Sequence, residues 1–266
     1  MDVSVEDGFL KGEAEAYQGL GICEENVMNI FYAMNHLETA LQKATDGNLD
    51  EHERNISKDL VRVYQTIALR FQDERDFDKS LEYFQKCLDA SKRAQDKIME
   101  AECYQKIGKI YEKLNDLDQA IEFLKRFLDI CAASGNKQKA GEAHKQLAEA
   151  YSKNNNVQLA IKHLESLLSI ANELKNKPAQ ADAFLKLGLL WYQEGKVKNS
   201  VDCLQKHFEL SRADTEENKN QKLIDRARVN LGIAQANIQI EDYKKTVLGD
   251  LQGLLEWKIR RTPFKK

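Results

Sequence analysis

Apolar residues recur along the chain at the spacing of an α-helix. In one stretch, five of them follow one another at intervals of three, one, three and one residues: Ala120, Phe123, Leu124, Phe127 and Leu128. Such intervals place the five side chains on one face of a helix. Short polar segments such as Asn115-Asp116 and Glu194-Gly195 interrupt the pattern, and Asn and Gly tolerate the backbone conformations that end a helix. The pattern predicts amphipathic helices joined by tight turns.

Pairs of residues, an aliphatic residue followed by Gly or Ala, recur at long and regular intervals. The second members are Gly21, Ala68, Gly108, Ala148, Gly188 and Gly232. Their spacings are 47, 40, 40, 40 and 44 residues. A fixed period of this size indicates a repeat protein, in which one supersecondary unit is copied along the chain.

Three further positions repeat in register with these small residues. An aromatic residue follows three positions later: Phe71, Tyr111, Tyr151 and Trp191. A second small residue follows twelve positions later: Ala33, Ser80, Ala120, Ala160 and Ser200. A large apolar residue follows four positions after that, as at Leu124 and Leu164. We interpret each repeat as two antiparallel helices that approach closely at the small residues, with the aromatic ring filling the wedge to the next pair.

These positions resemble the tetratricopeptide repeat, in an extended form of about 40 residues found in the spindle-orienting adaptor with Leu-Gly-Asn repeats, in rapsyn and in tetratricopeptide repeat protein 29. The resemblance implies an all-α, right-handed superhelical solenoid with a concave groove. We expect about six helix pairs in residues 14–257, starting near 14, 61, 101, 141, 181 and 225. Residues 1–13 would be an N-terminal extension or the end of a truncated upstream repeat, and residues 258–266 a basic tail. Two insertions, 47–53 and 214–220, are expected to be surface loops.

Composition supports helices and narrows the functional classes. Only 13 Gly and 2 Pro occur in 266 residues, which argues against a many-stranded fold. The net charge of −3 does not suggest a nucleic-acid binder. No apolar run is long enough to span a membrane, and the acidic N-terminus does not resemble a secretory signal. Five cysteines without a C-x-x-C motif favour reduced thiols and a cytoplasmic setting.

No sequence motif indicates catalysis, a cofactor or a small-molecule substrate. Nucleophile-elbow, phosphate-loop and H-E-x-x-H motifs are absent. His36 and His163 occupy the same repeat position three repeats apart, too far to share a metal ion. We therefore expect no enzyme activity and no metal site.

The first helix of each pair would line the groove, and its residues are candidates for binding a protein or peptide segment. The candidates are Gln105, Lys106, Lys109, Lys145, Gln146, Glu149, Leu189 and Tyr192. They change from charged to apolar along the chain, which suits a helical or extended peptide with acidic residues at one end and an apolar anchor at the other. A chaperone-tail site is disfavoured, because the Asn that grips the peptide carboxylate is missing and Glu149 would repel it.

The predicted function is a non-catalytic protein-binding scaffold. The resemblance to tetratricopeptide repeat protein 29 implies assembly of the axoneme of cilia or flagella. The resemblance to the spindle adaptor implies cortical or spindle cytoskeletal signalling. A third alternative is a self-regulated domain whose groove is occupied by its own extension. The basic tail is interpreted as a solvated end, with contact to an acidic partner or phosphorylation at Thr262 as the alternatives.

Overall fold

The computed structural model describes residues 3–213 and 221–249, with the single positions 252, 255, 258 and 259. Over these residues the chain forms helices and turns without strands, and the all-α fold class is confirmed. The helices are α1 Val3–Asn26, α2 Ile30–Asp46, α3 Asp50–Asp73, α4 Phe77–Arg93, α5 Lys97–Lys113, α6 Leu117–Ala133, α7 Lys137–Lys153, α8 Val157–Glu173, α9 Lys177–Gln193, α10 Val197–Ala213 and α11 Gln221–Gly249. The segment 214–220, where a loop was expected, lies outside the described residues, as do Thr262 and most of the tail at 258–266.

The chain divides into two compact units, residues 1–143 and 144–266. In the first unit, helices pack mainly against their chain neighbours: α1 with α2, α3 with α4 and α5 with α6. Weaker packing of α2 on α3 and of α4 on α5 joins one pair to the next. In the second unit, α9 packs against α8 and α10, and α10 against α11.

Identical turns set the period of 40 residues. Each regular helix has 17 residues and each turn has three, so a pair and its two turns take 40 residues. The middle turn residue lies in the left-handed region, as at Asn115 with φ 63° and Gly195 with φ 72°. The third is often Asp or Asn: the Oδ1 atom of Asp116 accepts a hydrogen bond from the Gln119 N–H at 3.2 Å. Such a side chain satisfies a backbone donor that the helix itself leaves unpaired.

The helix pairs begin earlier than the sequence pattern suggests. α5, α7, α9 and α11 start four residues before the expected positions, and α1 and α3 start eleven before. In α3 and α7 the first turn is polar, so the apolar pattern begins only inside the helix. The expected loop at 47–53 is wrong beyond Leu49, since Asp50 already begins α3. α3 therefore has 24 residues instead of 17, which accounts for the spacing of 47.

The sixth repeat departs from a helix pair. α11 continues for 29 residues through the place where the turn was expected. The turn positions hold Gln239 and Ile240, which supply neither a glycine nor a capping side chain. Gly232 therefore does not pack as predicted: it is exposed, and a Cβ added to it would meet nothing within 4 Å.

Elsewhere the small residues lie where two helices of a pair touch. Gly21, Gly108 and Gly188 lie against Leu37, Leu124 and Leu204, and a Cβ at Gly188 would come within 2.7 Å of Leu204 Cγ. Ala68 and Ala148 occupy the same repeat position as these glycines, and both are buried. The second small position is fully buried at Ala33, Ser80, Ala120, Ala160 and Ser200. Close approach at these residues buries the apolar face that a lone hairpin would leave in water.

The repeated aromatic residue stacks inside its own helix pair, which the wedge prediction did not include. Phe71 also contacts the preceding pair, as predicted, because its ring centroid lies 6.5 Å from that of Phe31 on α2. The ring centroids of Phe71 and Tyr83 are 5.6 Å apart, and those of Tyr111 and Phe123 are 5.5 Å apart. The fourth repeat keeps the arrangement with a histidine, since Tyr151 stacks on His163 at 5.4 Å. Rings stacked in this way contribute beyond the area that they bury.

Candidate partner-binding face

Polar contacts connect the first helices of successive repeats at a fixed sequence separation. Most of them join a residue on one first helix to the residue 37 positions later on the next. Between repeats spaced by 40 residues this separation is one period less three residues, so the first helices of those repeats lie side by side with an offset of about one helical turn. Four of the candidate binding residues take part in these contacts: Gln105, Lys109, Lys145 and Glu149.

In the first unit, the row joins α5 to the beginning of α7. Lys139 Nζ lies 2.8 Å from Glu102 Oε1, and Gln105 Nε2 donates to Glu142 Oε1 at 2.7 Å. Lys109 Nζ lies 3.8 Å from the same Glu142 oxygen. Of the two lysines predicted to face a partner in this unit, Lys109 is therefore paired with a carboxylate of the same row.

In the second unit, four charged residues of α7 and α9 form an alternating chain. Lys145 Nζ lies 2.8 Å from Asp182 Oδ2, Lys186 Nζ lies 3.5 Å from the same oxygen, and Lys186 also pairs with Glu149. Burial alone would raise the pKa of Asp182, but Lys145 and Lys186 outweigh it and hold that pKa below its ordinary value. Asp182, which lies in the expected groove but was not among the principal candidates, is the centre of this network.

A pocket of about 300 Å³ lies beside this network in the second unit. Its lining combines apolar and polar side chains from three helices: Ala148, Glu149, Ser152, Lys153, Leu164, Lys186, Leu189, Leu190 and Gln193. Leu164 and Leu190 are buried, whereas Leu189 is 45% exposed. A concave apolar site with a few polar groups at its edge is the usual form of a pocket that binds a ligand or a side chain.

Exposed apolar and aromatic side chains also occur beyond the pocket, on α9 and α11. Tyr192 is 38% exposed, and its hydroxyl accepts a hydrogen bond from the Asn237 side-chain amide. Val229 and Ile233 of α11 are also exposed. Leu185, in contrast, packs against the core cluster of Leu204, Leu231 and Ala234, so it does not line the face.

The structure separates the eight sequence-derived candidates into three groups. Gln105 and Gln146 are buried, so the expectation that they are open to a partner is corrected. Lys106 and the paired residues Lys109, Lys145 and Glu149 are half-buried. Leu189 and Tyr192 are exposed. Sequence reasoning missed the pocket, because its walls come from α7, α8 and α9 together.

One pair of histidines was also missed. His144 Nδ1 lies 2.9 Å from His163 Nδ1, and burial lowers the pKa of His144. These two residues occupy the repeat positions that hold Tyr104 and Phe123 in the third repeat, where the ring centroids are 6.1 Å apart. Within the described part of the chain, no group of three or more His, Cys, Asp or Glu side chains could hold a metal ion. None of the described helices has the length and apolarity that a membrane crossing requires.

Stacked helix pairs with a polar row and an apolar pocket define a helical-repeat protein. Residues 59–133 match one tetratricopeptide-repeat model and residues 143–178 match another. These two segments of the chain are therefore tetratricopeptide repeats. The matches establish the repeat and do not distinguish the adaptor, rapsyn or tetratricopeptide repeat protein 29 variety. No curated protein sequence matches the chain.

Solved structures share the fold at low sequence identity. BtubC (BKLC) from P. vanneervenii is 16% identical with a TM-score of 0.57, over 95% of this chain and 86% of that one. A Signal Transduction ATPase with Numerous Domains from Pyrococcus horikoshii, which has a tetratricopeptide repeat sensor, is 14% identical with a TM-score of 0.57, over 96% of this chain and 38% of that one. Nearly identical TPR-like repeats from Podosopora anserina are 14% identical with a TM-score of 0.50, over 78% of this chain and 99% of that one. At these identities the likeness concerns the fold alone.

Proposed function

We propose that the protein is a non-catalytic scaffold that binds a helical or extended segment of a partner protein on the α7–α9 face of its second unit. The observation that carries this proposal is the pocket beside Leu189, an exposed leucine above buried apolar walls. Burial of the exposed part of Leu189 by a partner would contribute about 1–2 kcal/mol to the binding free energy.

The charged network limits how much an acidic partner segment can gain from binding to the lysines of this face. Lys145 and Lys186 already pair with Asp182 and Glu149, so an acidic partner would have to compete with these carboxylates. Pairs that are half in water contribute little net free energy, and exchanging them for a partner carboxylate gains little. The apolar pocket therefore supplies most of the affinity, and the charges fix the orientation of the bound segment.

The partner segment that fits this face presents one large apolar side chain to the pocket. Tyr192 can add an aromatic contact with a hydroxyl at its edge, as anchor residues of interfaces commonly do. Helix α9 is held by its neighbours α8 and α10, so the receptor side is formed before binding and loses little freedom.

A peptide selection with matched variants tests the proposal. A random peptide library is selected on the intact chain, and enriched peptides are measured by titration against Leu189→Glu and Leu174→Glu. Leu174 is also 45% exposed but lies outside the pocket, at the end of α8. We expect the peptides to share a large apolar residue and to bind Leu189→Glu at least tenfold more weakly, or about 1.4 kcal/mol, with Leu174→Glu unchanged. Equal binding to both variants would contradict the proposal.

The cellular setting is proposed from the resemblance alone. We take axonemal assembly in cilia or flagella as the working hypothesis, and cortical or spindle signalling as the alternative. Imaging of the tagged chain in ciliated, dividing cells decides between them: axonemal signal supports the first, and cortical or spindle signal the second.

A further inference from the structure

Two buried cysteines contact each other between successive helix pairs of the first unit. Cys87 lies on α4 and Cys103 on α5, and the Cys103 thiol donates to Cys87 Sγ at 3.1 Å. The two residues are 0% and 2% exposed, and both thiols are free. No other residue separates the two sulfur atoms.

The repeat shows that cysteine is unusual at both positions. One period later, position 87 is occupied by Phe127, and two periods later by Leu167. Position 103 corresponds in the same way to Ala143 and Ala183. All four of these side chains are buried, so an inert apolar residue meets the packing requirement at each position. The second-to-third repeat junction instead holds two reactive groups side by side.

We propose that Cys87 and Cys103 are an oxidative modification site that forms a reversible disulfide when the protein meets hydrogen peroxide. The bond requires the sulfur atoms to approach by about 1 Å, from contact to a covalent length near 2.05 Å. A rotation of either side chain with a small shift of α4 against α5 supplies this movement.

The reaction balances with peroxide as the oxidant. One thiol loses its proton, and its sulfur attacks a peroxide oxygen to give a sulfenic acid and hydroxide, which takes up the proton to become water. The second thiol sulfur then attacks the sulfenic sulfur, forming the disulfide and releasing the second water. Two thiols are oxidised, one peroxide is reduced, and a dithiol reductant reverses the change.

Burial sets the speed of this reaction. The contact with Cys87, together with burial, raises the pKa of the Cys103 thiol, which disfavours the thiolate. The attacking thiolate therefore forms when α4 and α5 open locally, and the site responds slowly to sustained peroxide. The bond then joins the α3–α4 pair to the α5–α6 pair and restricts movement between the two repeats.

Mass spectrometry on the native chain tests the proposal directly. The protein is treated with graded hydrogen peroxide, its remaining thiols are alkylated in denaturant, and its peptides are mapped. We expect a cross-linked peptide pair containing Cys87 and Cys103, lighter by two hydrogen atoms and released by dithiothreitol. We also expect the melting temperature of the oxidised protein to rise by about 5 °C or more, a gain that dithiothreitol reverses.

Two variants provide matched controls. Cys103→Ala introduces the residue found at the equivalent positions 143 and 183, and it should abolish both the cross-link and the rise in melting temperature. Cys131→Ala removes a buried thiol elsewhere and should leave both unchanged. The proposal is overturned if Cys87 and Cys103 remain fully alkylated after sustained peroxide treatment that has oxidised the half-buried Cys203 completely. A disulfide to any other cysteine, or one formed only in denaturant, would also overturn it.

Discussion

Gly108 and Leu124 pack so closely that a Cβ on residue 108 would lie 2.9 Å from the Leu124 Cγ atom. We expect Gly108→Leu to lower the free energy of unfolding by about 1–3 kcal/mol, because the buried Leu124 side chain has little room to move. Urea denaturation followed by circular dichroism measures the change. Gly19→Leu is the control in the same unit, since a Cβ there would meet nothing within 4 Å. Equal loss in both variants would show that close contact at residue 108 is not the cause.

The Asp116 cap gives a second prediction. Asp116→Ala removes the acceptor for the Gln119 N–H at the start of α6, and we expect it to cost about 1 kcal/mol. Asp116→Ser keeps a hydroxyl acceptor and should recover most of this loss. Chemical denaturation of the three proteins measures the difference. If serine performs no better than alanine, the side-chain cap does not stabilise the turn.

Much of the repeat can be predicted from the sequence, because it depends on side-chain size at fixed spacing. Ala120 and Gly108 are recognisable by size alone, and the contact that they permit follows from two helices in one hairpin. The failure at the sixth repeat has a specific physical origin. Position 232 has the expected glycine, but the glycine can pack only against a second helix of the same pair. That second helix requires a turn, and Gln239 and Ile240 do not form one.

The candidate site was less predictable for a related reason. Its polar row pairs residues 37 positions apart, so whether Lys145 faces a partner or Asp182 depends on the offset between two helices. That offset is a property of packing and leaves no local signal in the sequence. Leu189 could be recognised as an apolar residue on a groove-facing position, whereas the cavity beneath it could not.

Asp182 is expected to stabilise the second unit through its two lysines. Asp182→Asn should lower the free energy of unfolding by about 1 kcal/mol near neutral pH, since the carboxylate is partly exposed. Asp225→Asn, which breaks the more exposed pair with Arg228, should have a smaller effect. Because the pKa of Asp182 is lowered on folding, its contribution is present above the unfolded pKa, about 3.9, and is lost as the pH falls through the lowered value. Parallel stability curves for wild type and variant across acidic pH would contradict this assignment.

From the contact between His144 and His163, we expect the protein to lose stability on mild acidification. Burial lowers the pKa of His144, so the folded protein binds fewer protons than the unfolded chain below pH of about 6.5. The stabilisation is complete above that pH and declines as the pH falls toward the folded pKa, where the His144 ring becomes charged next to the His163 ring, 2.9 Å away. Thermal melts between neutral and mildly acidic pH measure the slope.

A double variant that copies the corresponding residues of the third repeat tests whether the His144–His163 pair causes this pH dependence. His144→Tyr with His163→Phe reproduces the Tyr104–Phe123 ring pair and should flatten the slope. Some pH dependence of the stability should remain in the double variant, because burial also lowers the pKa of His207. An unchanged slope in the double variant would assign the pH dependence to groups other than this pair.

Photo-crosslinking from two positions of equal exposure tests the binding face most directly. A photoreactive amino acid is placed at residue 189 or at residue 174, both 45% exposed in the native chain, and cells expressing each protein are irradiated. We predict discrete crosslinked partners from residue 189 that are absent from residue 174 and that Tyr192→Ala weakens. Identical crosslinks from both positions, or none from residue 189 in cells where the protein functions, would contradict a partner-binding pocket on α9.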